Sequence, residues 1–408
     1  MKTITHNIEQ PKEVTDIVLL KSGFGIGGAG IADMQLLQMI HKQGIKVSVL
    51  TGFISPLFKN FFEKNNIPII INSTLDRDSH SSAEEIKTAI EQHTNEKSLI
   101  FASQAACPDV PSLGLALSKI RNKTVIRLHD PADKKTMKNL KNNAETTMIM
   151  PITQTLQQSI PHNKLHNIIV PPLLSSERFE FQKNGEFSLL QVRKYIRENL
   201  GVSEHETILF QPTRVHQEKG ITYSINLLEK FIQEKGGHPL LIISGGGGVE
   251  SEYKEHLMKI IEQKKLQQNI IFLDNKTSDN AQTRSRTADY LAACDFVIFP
   301  TEVESFGLPP AEAFAMKKPL ITTDYKDVDN NKVYKDIYKD FESIKIKGEN
   351  YKYVIDAMVK VNTDGHNGEP NYQKVKKFIA TDEIIKKMLA DVETALDIVI
   401  NKKSNLLP

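Results

Sequence analysis

Cysteine is nearly absent: the 408 residues hold two, Cys107 and Cys294. They stand far apart, which excludes a disulfide framework and the paired spacing of a zinc site, and fits a reducing compartment. Surplus charge is missing too. Lys and Arg number 52 against 50 Asp and Glu, a formal net charge of +2, so no strong field draws nucleic acid. No run reaches the roughly 18 apolar residues of a membrane span. The polar opening "MKTITHNIEQPKEVTD" lacks the apolar core of a signal peptide. Low-complexity segments are absent. These gaps together predict a soluble, cytoplasmic protein with no nucleic-acid partner. What is present is ordinary for a globular chain, 39% hydrophobic and 25% charged. The length exceeds one ordinary core and predicts about two domains.

Short apolar runs alternate with longer amphipathic ones. "DIVLLKS" at 16–22 reads as a strand and "GIADMQLLQMIHKQG" at 30–44 as a helix. "KVSVL", "IPIII", "LIFAS", "TVIRLH", "TMIM" and "NIIV" follow as strands. Near-continuous apolar strands with helices between them indicate a parallel sheet covered on both faces. The pattern stops at Pro171 and Pro172, which suit a hinge. A second set begins with the helix "LQVRKYIRENLG", closed by Gly201. "TILFQPT", "PLLIIS", "NIIFL" and "DFVIFP" are its strands. A last helical stretch at 381–401 starts on the capping residue Thr381. The expected division is therefore 1–172, 173–380 and a C-terminal helix 381–408 packing back toward the first domain. In doubly wound sheets ligands sit at the carboxyl ends of strands, so a cleft between two such domains is the default site.

"GFGIGGAG" at 23–30 follows the first strand and opens the first helix. It fits G-x-G-x-x-G twice, from Gly23 and from Gly25. Glycines there let backbone approach a diphosphate at a helix N-terminus. A dinucleotide site also needs an acid after the second strand, and none appears before Glu63. A diphosphate- or sugar-contacting loop and a plain tight turn both remain open, and a nicotinamide cofactor is disfavoured.

In the second half, "ILFQPTRVHQEKGI" places Arg214 and Lys219 just after a strand. Two cations at a strand's carboxyl end can neutralise a diphosphate leaving group, or simply decorate a solvated loop. "DFVIFPT" then reads as a buried strand, "EVESFGLPP" as a turn and "AEAFAMKK" as a helix. Glu304 falls in the turn and Glu312, eight positions on, near the helix start. One carboxylate can accept sugar hydroxyls and the other the two hydroxyls of a ribose. Backbone N–H groups of Phe306, Gly307 and Leu308 would meet an anion. The plainer alternative makes Glu312 a complement to the helix dipole and Glu304 a surface charge.

E-S-F-G-L-P-P-A-E resembles the E-x7-E signature of retaining GT-B glycosyltransferases of family 4. "DYLAACDFVIFPTEVESFGLPPAEAFAMKKPLITTD" is similar to that family throughout, and "TRVHQEKGI" to its R-x4-K-G element. The two stand in order, about 85 residues apart. The similarity covers roughly 205–325; the N-terminal half matches in layout only.

The resemblance implies an α/β GT-B fold, two Rossmann-like doubly wound domains facing across a cleft. It implies a nucleotide-sugar donor (UDP-, GDP- or ADP-linked) as substrate and no required cofactor or metal. Arg214 and Lys219 would contact the diphosphate and Glu312 the ribose. Glu304 would hold donor-sugar hydroxyls, with Ser305, Phe306, Gly307 and Leu308 lining the sugar and phosphates. Ser305 departs from the commoner glycine. "SGGGG" at 244–248 resembles the family's glycine turn, although its usual acid does not appear before Glu250. Gly27 and Gly28 look like the loop that reaches the diphosphate. His129, in "VIRLHDP", looks like the family's strand-end histidine at the reaction centre; a half-buried polar residue is the alternative. The catalytic set implied is His129, Glu304, Arg214 and Lys219. Glu304 and Glu312 act as binders rather than as the close nucleophile pair of a retaining glycosidase, which favours front-face attack. The "DVD" at 327–329 lies outside the E-x7-E element and lacks the spacing of a calcium loop.

The acceptor would be a glycan, a lipid or a small molecule. Lys134, Lys135, Lys138 and Lys141, with Phe58, Phe61 and Phe62, offer peripheral contact with an anionic membrane; a solvated lysine face and a core aromatic stripe are the alternative. A nucleotide-sugar epimerase, a phosphorolytic enzyme and a non-catalytic nucleotide-sugar binder share the same architecture.

Overall fold

A computed structural model describes residues 12–24, 28–103, 111–129, 147–160, 166–167, 169–175, 188–245, 251–273, 287–327 and 329–400. The chain divides into two compact units. The first comprises residues 1–25, 33–171 and 381–408, and the second 26–32 and 172–380.

In the first unit, β1 (Lys12–Val14) precedes seven strands: β2 (Asp16–Phe24), β3 (Val47–Ile54), β4 (Ile69–Ile71), β5 (Ser98–Ser103), β6 (Thr124–Leu128), β7 (Thr147–Pro151) and β8 (His166–Asn167). These seven form one parallel sheet in the order β4-β3-β2-β5-β6-β7-β8. The strands are apolar along nearly their whole length because both faces are covered. Val18, Leu20, Ile100, Ala102, Ile126 and Leu128 point into one buried cluster with residues of the helices Ala83–His93 and Pro111–Leu117. Each such aliphatic side chain contributes about 1.5–3 kcal/mol by leaving water. The order reverses between β2 and β5, so their carboxyl ends flank the place where such sheets take ligands.

The second unit holds β9 (Leu174–Ser175), β10 (Ile208–Arg214), β11 (Leu240–Gly245), β12 (Ile270–Phe272), β13 (Phe296–Phe299), β14 (Leu320–Thr322), β15 (Ile344–Lys345) and β16 (Ile379–Ala380). Six of them build a parallel sheet ordered β12-β11-β10-β13-β14-β15, while β16 pairs with β9. Its core joins Leu209, Leu241, Phe296 and Ile298 to the helix Ile221–Lys235 through Ile225 and Leu228. Here the reversal lies between β10 and β13.

One expectation changes. The last helix runs Asp382–Leu396 rather than to 401, with Thr381 Oγ accepting from Ile384 N at its start. Asp397 takes a left-handed conformation, φ 49°, and the β-branched run after it becomes β17 (Ile398–Ile400), paired parallel with β1. In the helix Pro56–Lys64 the core reading of the aromatic stripe holds for Phe58 and Phe62, fully buried against Phe24, while Phe61 is half-buried. Phe58 and Phe62 are therefore unavailable to a membrane. The four lysines between 134 and 141 lie outside the described residues. Among the described residues no helix is long and apolar enough to cross a membrane.

Candidate active site

Arg214 is the last residue of β10 and is exposed. The strand register shifts between Gln211 and Arg214, and Arg214 stands opposite Gly245. A 3-10 turn, Gln217–Lys219, follows, capped by the His216 side chain. The buried Gln211 clamps it: its Nε2 donates to Lys219 O at 2.7 Å, and its Oε1 accepts from Ser224 Oγ. Gly220 closes the turn at φ +63°. A Cβ there would stand 2.3 Å from Pro300 O, so only glycine lets this turn lie against the end of β13.

The segment after β13 is held as firmly. Glu304 N donates to Lys326 O at 2.7 Å and Lys326 N to Glu302 O at 3.0 Å. Lys219 Nζ then reaches Glu304 Oε2 at 3.2 Å, and Glu304 Oε1 accepts from Ser305 N at 3.1 Å. The two cation and carboxylate motifs, 85 residues apart, thus meet at the carboxyl edge of the switch point. The pair is largely shielded, with side chains 11% and 24% exposed.

The helix Leu308–Ala315 starts from Gly307, whose φ is +81°. Pro309 and Pro310 fill its first turn and carry no N–H, so the donors available there are backbone groups at or before Leu308. Two buried tyrosines anchor the turn from outside. Tyr325 Oη donates to Phe306 O at 2.6 Å, and Tyr338 Oη to Gly307 O at 2.9 Å. Burial, with neighbouring Tyr338 and Glu304 adding, pushes the Tyr325 hydroxyl well above its ordinary value; Tyr338 is raised by burial as well. Both remain donors at neutral pH. Glu312 lies within the helix and is 3% exposed, not a surface charge at its mouth. The Phe306 ring is 3% exposed and packs on Phe378 and Tyr338 at 5.4 and 6.0 Å. It cannot line a sugar, and only the backbone of Phe306 could meet a ligand.

Gly28 begins the first helix, Gly28–Lys42, while Gly27 and the loop glycines 246–248 lie outside the described residues. Asp327 is engaged locally: its Oδ1 accepts from Asp329 N and Asn331 N, and its Oδ2 from Asn331 Nδ2.

His129, just past β6, is buried at 3% exposure. Its Nε2 lies 2.9 Å from Asp33 Oδ1. Asp33, on the first helix, also binds Lys21 Nζ at 2.8 Å and Ser103 Oγ, with Arg127 Nε 3.5 Å away. Burial alone would raise the Asp33 carboxyl. Lys21, His129 and Arg127 together overcome it and hold the group far below the usual carboxylate range. Sequence reasoning found His129 and missed this set; the signal was a lone cation inside each of two apolar strands, "DIVLLKS" and "TVIRL".

Residues 192–330 match the family model described as glycosyl transferases group 1. The chain carries a glycosyl transferases group 1 domain. A mannosylglucosylglycerate synthase of Petrotoga mobilis is 25% identical over 195 residues, 43% of each chain. An uncharacterized glycosyltransferase of Methanocaldococcus jannaschii is 24% identical over 127 residues, 31% of this chain and 30% of that one. The chain therefore spans less than half the length of these curated relatives. Over the whole fold it is similar to a glycosyltransferase from Rickettsia africae (TM-score 0.71, 15% identity, 94% and 99% of the two chains). It is equally similar to Anabaena HepE crystallised with UDP and glucose (TM-score 0.71, 16% identity, 94% and 100%). These likenesses give the fold: GT-B, with parallel sheets in two Rossmann-like units. The glycosyl transferases group 1 match spans Arg214, Lys219, Glu304 and Glu312.

Proposed function

We propose that this protein is a retaining glycosyltransferase that moves a hexose from a nucleotide-sugar to an acceptor hydroxyl. The observation that carries the reading is the Lys219–Glu304 pair at the carboxyl edge of the group 1 domain's sheet. The exposed Arg214 ends the strand just before the turn that carries Lys219, and the helix Leu308–Ala315 starts just after Glu304. A cation fixed by a carboxylate is already oriented when a diphosphate arrives, which is how preorganised charge lowers a barrier. Arg214 and Lys219 take the diphosphate, Glu304 the sugar hydroxyls and Glu312 the ribose. The backbone N–H groups of Phe306, Gly307 and Leu308 meet the phosphates, while Ser305 N is held by Glu304. No cofactor or metal is needed in this scheme, because these cations offset the leaving-group charge. Glu304 is tied to Lys219 and Ser305, which suits a binder better than a nucleophile and supports front-face attack. The first unit takes the acceptor, and the protein works in the cytoplasm.

The test starts from donors. Thermal shift and slow hydrolysis are measured against UDP-, GDP- and ADP-sugars, UDP-glucose first because HepE is also crystallised with it. The Petrotoga relative's name puts mannosyl transfer to a small glycoside in the first acceptor screen. Stabilisation by one nucleotide family, release of its diphosphate and an α-linked product from an α-donor are expected. A β-linked product would overturn retention. Interconversion of donor sugars without an acceptor would make the protein an epimerase. Binding without turnover across the acceptor screen would make it a non-catalytic binder.

A further inference from the structure

Lys21, Ser103 and Arg127 stand in one row across three adjacent strands. Leu20 pairs with Ala102 and Ser103 with Arg127, so the three residues follow one another from β2 through β5 to β6. Their neighbours Leu20, Ala102, Ile126 and Leu128 enter the apolar cluster on one face, which puts the polar row on the other. Asp33 descends onto that row from the first helix, and His129 follows at the end of β6.

The hydrogen-bond roles are fixed by elimination. An ionised carboxylate only accepts, and Lys21 only donates. Asp33 Oδ2 accepts from Lys21 and Ser103, and Oδ1 faces His129 Nε2 at 2.9 Å. Nε2 must then carry the proton. Protonating Nδ1 as well would place a third buried cation beside Lys21 and Arg127, and among the described residues Asp33 is the carboxylate paired with all three. Among the described residues Arg127 Nε and Nη1 are buried without a hydrogen-bond partner, while its Nη2 donates to Pro171 O at 3.4 Å, a neutral acceptor that leaves the positive charge in place.

We propose that Asp33 is a positioning residue that locks His129 as the neutral, Nε2-protonated imidazole, so that Nδ1 is offered as an acceptor to a substrate hydroxyl. Such a nitrogen cannot donate to a phosphate oxygen; it selects an O–H group. Burial, with Arg127 and Lys21 pushing the same way, lowers the His129 pKa although Asp33 raises it. The hydroxyl rests on the glycosyl-transfer reading, whereas the tautomer does not.

The full chain, labelled with 15N-histidine, gives the test. Long-range proton–nitrogen spectra distinguish both neutral tautomers and the imidazolium, and His129→Gln assigns the signal among the 12 histidines. The Nε2-protonated pattern is expected at pH 7 and still at pH 5.5. An imidazolium or an Nδ1-protonated ring at pH 7 overturns the lock. In Asp33→Asn the amide oxygen must serve Lys21, which turns the NH2 toward His129 and forces the proton to Nδ1. That variant should show the reversed tautomer and a kcat/KM at least tenfold lower. Should Asp33→Asn not fold, the parent spectrum decides alone. A reversed tautomer with unchanged kcat/KM overturns the hydroxyl role and leaves transfer intact. A correct tautomer in a protein that turns over no nucleotide-sugar supports the lock and overturns the glycosyl-transfer reading.

Discussion

Lys219 and Glu304 are largely shielded, with 11% and 24% of their side chains exposed, so removing the lysine leaves a mostly shielded carboxylate without its cation. Lys219→Ala should lower kcat by about 10²–10³, the usual effect of removing one donor from a developing charge. Its cost in stability should be about 1.5–3 kcal/mol, because a hydrogen bond to a shielded carboxylate is lost. Steady-state kinetics beside a thermal melt checks both; an unchanged kcat would remove Lys219 from the diphosphate. At Gly307 the constraint is the backbone itself. A Cβ there would stand 2.3 Å from the Tyr325 hydroxyl, on a backbone at φ +81°. Gly307→Ala should cost about 1–3 kcal/mol through left-handed strain and displacement of that hydroxyl. A lowered melting temperature with weaker donor binding is the expected pair of results.

The turn between β13 and the helix Leu308–Ala315 is the element on which these residues depend. Its carbonyls at Phe306 and Gly307 are met by Tyr325 and Tyr338, from farther along the chain. Tyr338→Phe removes one donor and leaves the Gly307 carbonyl unmet, which costs about 1–3 kcal/mol. Donor affinity measured by calorimetry should fall in step; equal affinity would show that the turn needs no second anchor. The anchoring tyrosines also mark the limit of what the sequence discloses. The inner strands from Asp16–Phe24 to Thr147–Pro151 and from Ile208–Arg214 to Phe296–Phe299 are visible as apolar runs, because burial on both faces writes itself into composition, whereas "NIIV" overlaps His166–Asn167 only at Asn167 and Leu320–Thr322 does not read as a strand. Glu304, Lys219 and Arg214 are visible because they sit at strand ends. Leu174–Ser175, Ile344–Lys345 and Ile379–Ala380 are two-residue strands, too short to carry a period. Asp397 ends a helix whose apolar stripe continues past it. Lys21, Ser103 and Arg127 read as stray polar residues until strand register places them in one row, and register is a property of the folded sheet.

At the scale of the whole molecule, the buried titrating groups are divided between the two units. The first holds Asp33 and His129, both pushed down. A group whose folded pKa is depressed contributes stability above its unfolded value and loses it as pH falls. His129 therefore begins to destabilise the first unit below about pH 6.5, and Asp33 adds to it below about pH 3.9. The second unit holds Tyr325 and Tyr338, pushed well up by burial, and Tyr334, pushed up to about 12. Groups with raised values contribute fully below about pH 10 and lose that contribution above it. Lys318 and Lys345, both depressed by burial, oppose the alkaline trend, and His366, pushed down by burial, adds an acid sensitivity to the second unit. Tyr223 and Tyr290 are raised by burial too, and five raised tyrosines outweigh two depressed lysines, so the first unit should yield first to acid and the second to alkali. The chain contains no tryptophan, and all ten tyrosines, Tyr195 to Tyr372, lie in the second unit. Near-ultraviolet circular dichroism of tyrosine thus reports on that unit with little signal from the first. Between pH 7 and 4.5 hydrogen exchange should rise in first-unit peptides while the tyrosine signal holds. Above pH 10 absorbance at 295 nm should show a cooperative step as buried tyrosines ionise on unfolding. A tyrosine signal lost together with first-unit protection in acid would mean that the two cores unfold as one, and that the division of charge between them has no separate consequence.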